Sequence, residues 1–445
     1  MNFEVARNIL ENEAKRQGLE EYEIYYTASE GVNTETLKDE ISSFSSGNEA
    51  GISFRCIAHG HVGSAATELF DEDELKALVT RAAANASVIE NDEPAIIFQG
   101  SEKYAQKNST VADMPSVAEI KKLALDLQKK TYAINELITD GTQSGVFSNI
   151  SSYELVNSKG LRLSNKVGFS GAFVQAVVNK DGESSDGFDY VVGFDKADEL
   201  PSKAVNESTS KLGAKAVESG KYSIILDGKQ MRALLSTFCS VFSGKKAIQG
   251  LSLLAGKVGE NIASEKVTII DDPLYEASFV QTAFDGEGVA TYKKNVVENG
   301  VLKTLLYDLA TAERAGVTTT ANGQRGSYAQ QVSIEPFCFY IKEGKLTEEE
   351  LKQKMGDGLY VTELKGLHAG ANAVTGDFSI ESAGFLVKDG KLSGAVKGFT
   401  IAGNFFELLK GIVAVADTVK FGMPSGFTTF GSPDVLLEPM SVAGE

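Results

Sequence analysis

The sequence predicts an α+β protein in two parts: a helix-plus-antiparallel-sheet region over residues 1–220, and a mainly β region over 221–445 built from hairpins and short helices. Three observations carry this. A plan of helix, then strands, occurs twice before residue 220. Glycine turns between short apolar runs mark hairpins after it, at Glu298-Asn299-Gly300 and Asp389-Gly390. Glycine density also rises beyond Gly220, where 221–226 begins a new strand.

In chain order, residues 3–17 place Val5, Ile9, Leu10 and Ala14 near a 3.6-residue period and stop at Gly18, which predicts a helix. Stretches 22–29, 31–44, 51–58 and 61–67 are β-rich between Gly and Ser breaks and predict a strand meander. Asp71 and the acids after it open a helix whose buried stripe is Leu75, Leu78, Val79 and Ala82. Residues 89–115 are irregular, and 116–132 is a helix with Ile120, Leu123 and Leu127 on one face. A second strand set follows at 138–147, 151–157, 161–178 and 184–192, then a helix over 201–218 with Pro201 early, where its missing N–H costs nothing. Beyond Gly220, 228–243 is helical, 266–271 a strand, and 292–307 a hairpin running into a helix at 309–315. The order of hairpin and helix returns at 382–410, an echo that suggests two related halves. A last strand is expected around 435–437.

Composition narrows the function. With 43 Lys+Arg against 61 Asp+Glu the net charge is −18, so a phosphate backbone or anionic membrane is repelled and direct nucleic-acid binding is not expected. No apolar run reaches the ~20 residues that span a bilayer. Cys56, Cys239 and Cys338 have no paired spacing, which fits a reducing, cytoplasmic setting.

The most distinctive stretch is 366–378, Gly-Leu-His-Ala-Gly-Ala-Asn-Ala-Val-Thr-Gly-Asp-Phe, too polar for a core and too glycine-rich for a helix, hence a shaped loop. A second such loop, 422–433, reads Gly-Met-Pro-Ser-Gly-Phe-Thr-Thr-Phe-Gly-Ser-Pro. Between them, Gly-Phe-Thr-Ile-Ala-Gly-Asn at 398–404 predicts a strand, a corner and a helix with Asn404 as N-cap. This series, with Gly-Phe-Leu-Val at 384–387 and Met-Ser-Val-Ala-Gly at 440–444, resembles the TldD/PmbA family, and most of all its PmbA, or TldE, branch. The resemblance is strongest in the C-terminal half. It implies a cytoplasmic metalloprotease of two related chains, historically called a modulator of DNA gyrase, acting on peptides.

It also implies where zinc chemistry would sit. Catalytic members carry His-Glu-x-x-x-His on the helix after the first strand of the C-terminal region, and a Gly-Met-Cys stretch near the end. Here the matching positions hold Ser236, Thr237 and Val241, and Pro424 follows Gly422-Met423. Zinc needs imidazole, thiolate or carboxylate ligands, and the chain's histidines are His59, His61 and His368, none between 62 and 367. No catalytic and no metal-binding residue is therefore assigned; zinc is expected in a TldD-like partner, with no cofactor in this chain. His59 and His61, two apart on a strand edge, would point the same way. No Gly-x-Ser-x-Gly elbow surrounds Ser425 or Ser432, and 366–370 lacks the Lys-Ser/Thr of a phosphate cradle.

Candidates for contact with a peptide or partner are His368, Gly370, Asn372, Thr375, Asp377, Gly403, Asn404, Ser425 and Ser432, because glycine lets another backbone approach and polar side chains can hold it. The same Asn and Asp residues equally suit local loop bonds. Two function classes follow: the non-catalytic subunit of a two-chain peptidase, homodimeric when alone, or a stand-alone homodimeric peptide- or protein-binding module.

Overall fold

In the computed structural model, residues 2–107, 111 and 114–444 are described. The N-terminal part contains α1 (Phe3–Arg16), β1 (Tyr22–Leu37), β2 (Glu40–Ala58), β3 (His61–Thr67), α2 (Glu72–Ser87), α3 (Val117–Tyr132), β4 (Gln143–Asn157), β5 (Arg162–Lys180), β6 (Glu183–Val192) and α4 (Leu200–Ser210). Its two predicted strand sets join into one six-stranded antiparallel sheet, ordered β3-β2-β1-β4-β5-β6. Helix starts follow their caps. Asp71 accepts from the Glu74 N–H, and Ser116 with Glu119 forms a reciprocal capping box.

Alternation along β1 assigns its two faces. Tyr22 and Ile24 pack with α1 and α2, and Val32 packs with α3 and α4, so two helical cores share one face. The odd residues point the other way. Tyr25 donates to the Arg325 carbonyl at 3.4 Å, and Tyr153 of β4 pairs with Thr282 at 2.9 Å and packs edge-on against Phe284.

The C-terminal part contains β7 (Gly220–Leu226), α5 (Gly228–Phe238), α6 (Gly244–Ile248), β8 (Ile269–Asp271), β9 (Lys294–Glu298), β10 (Val301–Leu302), α7 (Leu309–Ala315), β11 (Gly323–Gln324), β12 (Ser333–Ile334) and β13 (Cys338–Ile341). It continues with α8 (Glu348–Met355), β14 (Gly358–Lys365), α9 (Leu367–Gly370), β15 (Asp377–Lys388), β16 (Lys391–Asn404), α10 (Phe405–Lys410), β17 (Ile412–Val415), β18 (Lys420–Phe421), β19 (Thr429–Ser432) and β20 (Val435–Ala443). Two six-stranded sheets form here, ordered β10-β9-β8-β13-β19-β18 and β16-β15-β14-β7-β20-β17. In the second, β16 also pairs with β20 through Thr400–Ala443 and Ile401–Val442, which closes five of the strands into a ring and leaves β17 outside it. One core joins both sheets across α5, whose Met231, Leu234, Leu235 and Phe238 are buried; Phe238 stacks on Phe405 at 4.6 Å.

Several expectations are corrected. β1 runs unbroken through Gly31, and the chain reverses instead at Lys38-Asp39, both at positive φ. His59-Gly60 is likewise a left-handed turn between β2 and β3, so His59 and His61 do not share a strand face. The helix expected to 218 stops at Ser210, because the following backbone is taken by β16: Lys215 N–H donates to Ala395 O and Lys397 N–H to Lys215 O, both 3.0 Å. Residues 382–387 and 398–402 belong to longer strands, with Gly398 at φ 72° inside β16. Both glycine turns stand where expected, Asn299-Gly300 and Asp389-Gly390, all four at positive φ. The two hairpin–helix units lie in different sheets.

Candidate functional site: a helix without ligands and a charged cavity

Helix α5 is where the family resemblance locates zinc chemistry. Asp227 caps it through the Lys229 N–H at 2.7 Å, and it touches α9 as well as β18 and β19, so both glycine-rich loops meet it. Its side chains do not suit a metal. Ser236 is exposed, Thr237 spends its hydroxyl on Ala233 O at 2.8 Å, and Val241 is buried and carries no donor atom. Pro424 offers none either. Cys239 lies between Thr237 and Val241, but burial raises its thiol well above the ordinary range, with Glu335 and Asp271 adding to the effect. Among the described residues no group of three or more His, Cys, Asp or Glu comes together in a way that could hold an ion.

The loop at 366–378 contains one helical turn, α9, which its composition does not predict; Gly366 supplies the left-handed entry at φ 76°. Its polar groups are spent locally. Asn372 accepts from the Val374 and Thr375 N–H groups, Thr375 accepts from the Asp377 N–H, and Asn404 donates to Thr375 O at 2.9 Å and to Asp377 Oδ1 at 3.0 Å while capping α10. Those bonds hold the Asp377 carboxyl below its ordinary range. His368, Asn372, Thr375 and Asp377 are exposed, Gly370, Gly403 and Asn404 partly so. A Cβ on Gly370 would come within 2.5 Å of Ser379 O, so that glycine is needed for close packing. Ser425 is exposed and closes a turn with Thr428. Ser432 is a different case: it is fully buried and donates to Pro433 O at 2.8 Å, which withdraws it from any surface contact.

A second feature escapes sequence reasoning. Between the N-terminal sheet and the segments around 287, 308–314 and 325–332 lies a cavity of about 360 Å³. Charged residues gather beneath it. Glu23 of β1, fully buried, pairs with Arg55 of β2 at 3.1 Å and with Arg325, whose guanidinium also covers the Tyr25 ring. Glu287 lies 4.0 Å from Arg55 and accepts from the Leu309 N–H at 2.8 Å. Burial raises Glu287 to about 7, with Arg55 opposing and Asp308 reinforcing the shift. Burial likewise lowers Arg55, and raises Asp285 well above the carboxylate range, helped by Glu287. Another buried group, Asp227, Asp434, Tyr360 and Lys420, ties β7, β14, β18 and β20 together, with Lys420 Nζ 2.6 Å from each carboxylate.

Fold and site together define a class: an α+β chain whose helix α5 carries no imidazole or carboxylate at the positions where the resemblance expects metal ligands. Comparison with known proteins places it further. Residues 219–444 match the PmbA/TldA metallopeptidase C-terminal domain, 22–86 match domain 1, and 112–220 match the central domain. An uncharacterized protein of Methanocaldococcus jannaschii is 30% identical over 90% of this chain and 93% of its own. A putative modulator of a DNA gyrase from Thermotoga maritima superposes with a TM-score of 0.90 at 28% identity, covering 99% of this chain and all of the other. TldE from Thermococcus kodakarensis gives 0.86 at 25%, covering 98% and 99%. The chain belongs to the TldD/PmbA metallopeptidase family.

Proposed function

We propose that this chain is the PmbA/TldE-type subunit of a two-chain peptidase, non-catalytic by itself, contributing peptide- and partner-binding surface to a TldD-like chain that holds the zinc. The observation that carries the reading is α5: Ser236, Thr237 and Val241, with Pro424, stand where the resemblance requires two imidazoles, a general base and a thiolate. A catalytic zinc site needs three protein ligands and an open position for water, and hydroxyl and alkyl side chains do not supply them. The setting is cytoplasmic. No described helix is long and apolar enough to cross a membrane, and the charge of −18 disfavours a nucleic-acid partner. Alone, the chain forms a homodimer, which light scattering can check.

Elemental analysis tests the central claim. Chelator-washed protein should contain well under one zinc per chain and leave casein intact, and adding a TldD-like chain bearing His-Glu-x-x-x-His should produce a co-eluting, peptide-cleaving complex. Close to one zinc per chain with hydrolysis by this chain alone would overturn it.

A further inference from the structure

We propose that the cavity beside β3 receives the C-terminal end of a peptide, its carboxylate held by Arg314 and its main chain laid along the free edge of β3. This rests on the peptide-handling reading above and assigns it a place and a chemistry.

Three observations converge. The first is the wall. β3 is the outermost strand of its sheet, and Val62, Ser64, Ala65 and Ala66 all line the cavity. Alternation puts Val62, Ser64 and Ala66 on the sheet face they share with Ser53 and Arg55, while Ala65, whose side chain packs on the helical core, meets the cavity through its main chain at the strand's edge. That edge presents main-chain N–H and C=O groups, of which the Ser64 carbonyl is engaged, by Asn85 at 2.8 Å. An extended polypeptide is the ligand whose own main chain matches such an edge.

The second is the imbalance of hydrogen-bonding capacity. The acidic side chains at the cavity are occupied: Glu287 by the Leu309 N–H, Asp308 by the Thr311 N–H at 2.7 Å, Glu93 by Lys245 at 3.0 Å. Arg325 and Arg55 are both paired with Glu23, but one guanidinium keeps its donors to spare. Arg314, exposed in the last turn of α7, has no ion pair or hydrogen bond among the described residues. Arg55 is already committed: its Nη2 is ion-paired with Glu23 Oε1 at 3.1 Å, and its Nε is buried away from the cavity without an acceptor. Glu23 Oε2 is also unbonded, yet Glu23 is fully buried and is not part of the cavity lining. Spare donors call for a ligand that brings acceptors, and a planar carboxylate fits the guanidinium fork.

The third is size. A volume of about 360 Å³ sits at the lower end for ligand cavities and has room for two or three residues.

Isothermal titration of the full chain with one N-acetylated alanine–leucine pentapeptide, as free acid and as C-terminal amide, tests this. The free acid should bind at least tenfold more tightly. Arg314→Gln should erase that preference while leaving amide affinity unchanged; Arg314 is exposed, so the variant folds. Equal affinity of the two forms would overturn the carboxylate assignment and leave the subunit reading standing, since partner assembly and zinc content are read separately. No binding of either form at millimolar peptide would overturn the peptide site. Displacement of the free acid by equimolar inorganic phosphate, with no amide binding, would mark a small-anion site and overturn the peptide assignment too.

Discussion

The glycine-rich loop over 366–378 and the charge cluster around Glu23 are both polar, and they differ in what happens to that polarity. In the loop, Asn372, Thr375, Asp377 and Asn404 bond to one another and to nearby backbone at the surface, where water can replace any bond that is lost. In the cluster, Glu23, Glu287 and Arg325 are buried and Arg55 nearly so, and they pair chiefly with one another. Exposed polar groups are nearly interchangeable with solvent. Buried charges are committed: removing one leaves another unpaid in a low dielectric.

That contrast can be broken in three ways. The largest effect should come from Arg325→Met, which leaves Glu23 short of its principal partner; about 3–5 kcal/mol of unfolding free energy should be lost in urea titration. A loss below about 1 kcal/mol would mean that the cluster is as replaceable as the loop.

Glu287→Gln comes next, and its effect depends on pH. Glu287 is raised from 4.5 to about 7, so between those values the folded protein keeps a proton that the unfolded chain has released. Stability from this group is therefore present at low pH and lost as pH rises from 4.5 through 7. The facing groups are Arg55 on β2, Asp308 before α7, Asp285 on the same loop and Arg325. At about 1.4 kcal/mol per unit, Glu287→Gln should gain about 3 kcal/mol on wild type between pH 4.5 and 8. A difference independent of pH would refute the burial argument.

The smallest effects belong to the loop. Asn404→Ala removes the cap of α10 and two bonds to the loop, and should cost about 1 kcal/mol. Asn372→Ala with Asp377→Ala sharpens the functional question: if the proposed complex with a TldD-like chain forms and keeps normal peptide turnover, the loop's polar groups serve only its shape.

The same contrast explains what could be read from the sequence. The loop, its hairpin and its N-cap lie within some forty residues, so local turn and capping chemistry shows them: Asp389-Gly390, Asn404, and earlier Asp71 and Ser116 all act as their neighbours suggest. The cluster is joined across the chain. Arg325 and Glu23 are 302 positions apart, and Glu23 within Tyr-Glu-Ile-Tyr-Tyr looks like the solvent side of an alternating strand until the C-terminal part covers it. The false helix at 211–218 fails for the same reason, since its backbone partner is β16. One signal was available: the odd face of β1 begins Glu23, Tyr25, and a large aromatic beside an acid on the nominally wet face hints at a covered surface.

The closed ring of strands has a consequence for how the chain is made. β7 ends at Leu226, yet its two neighbours are β14, beginning at Gly358, and β20, beginning at Val435. While the ribosome works through the intervening stretch, β7 has an apolar Ile-Ile-Leu segment and nothing to pair with. The N-terminal sheet, complete by Val192, can be finished early. Its partner region must wait for nearly all of its sequence, so interrupted synthesis would release a chain with one folded part and one sticky, unfinished one.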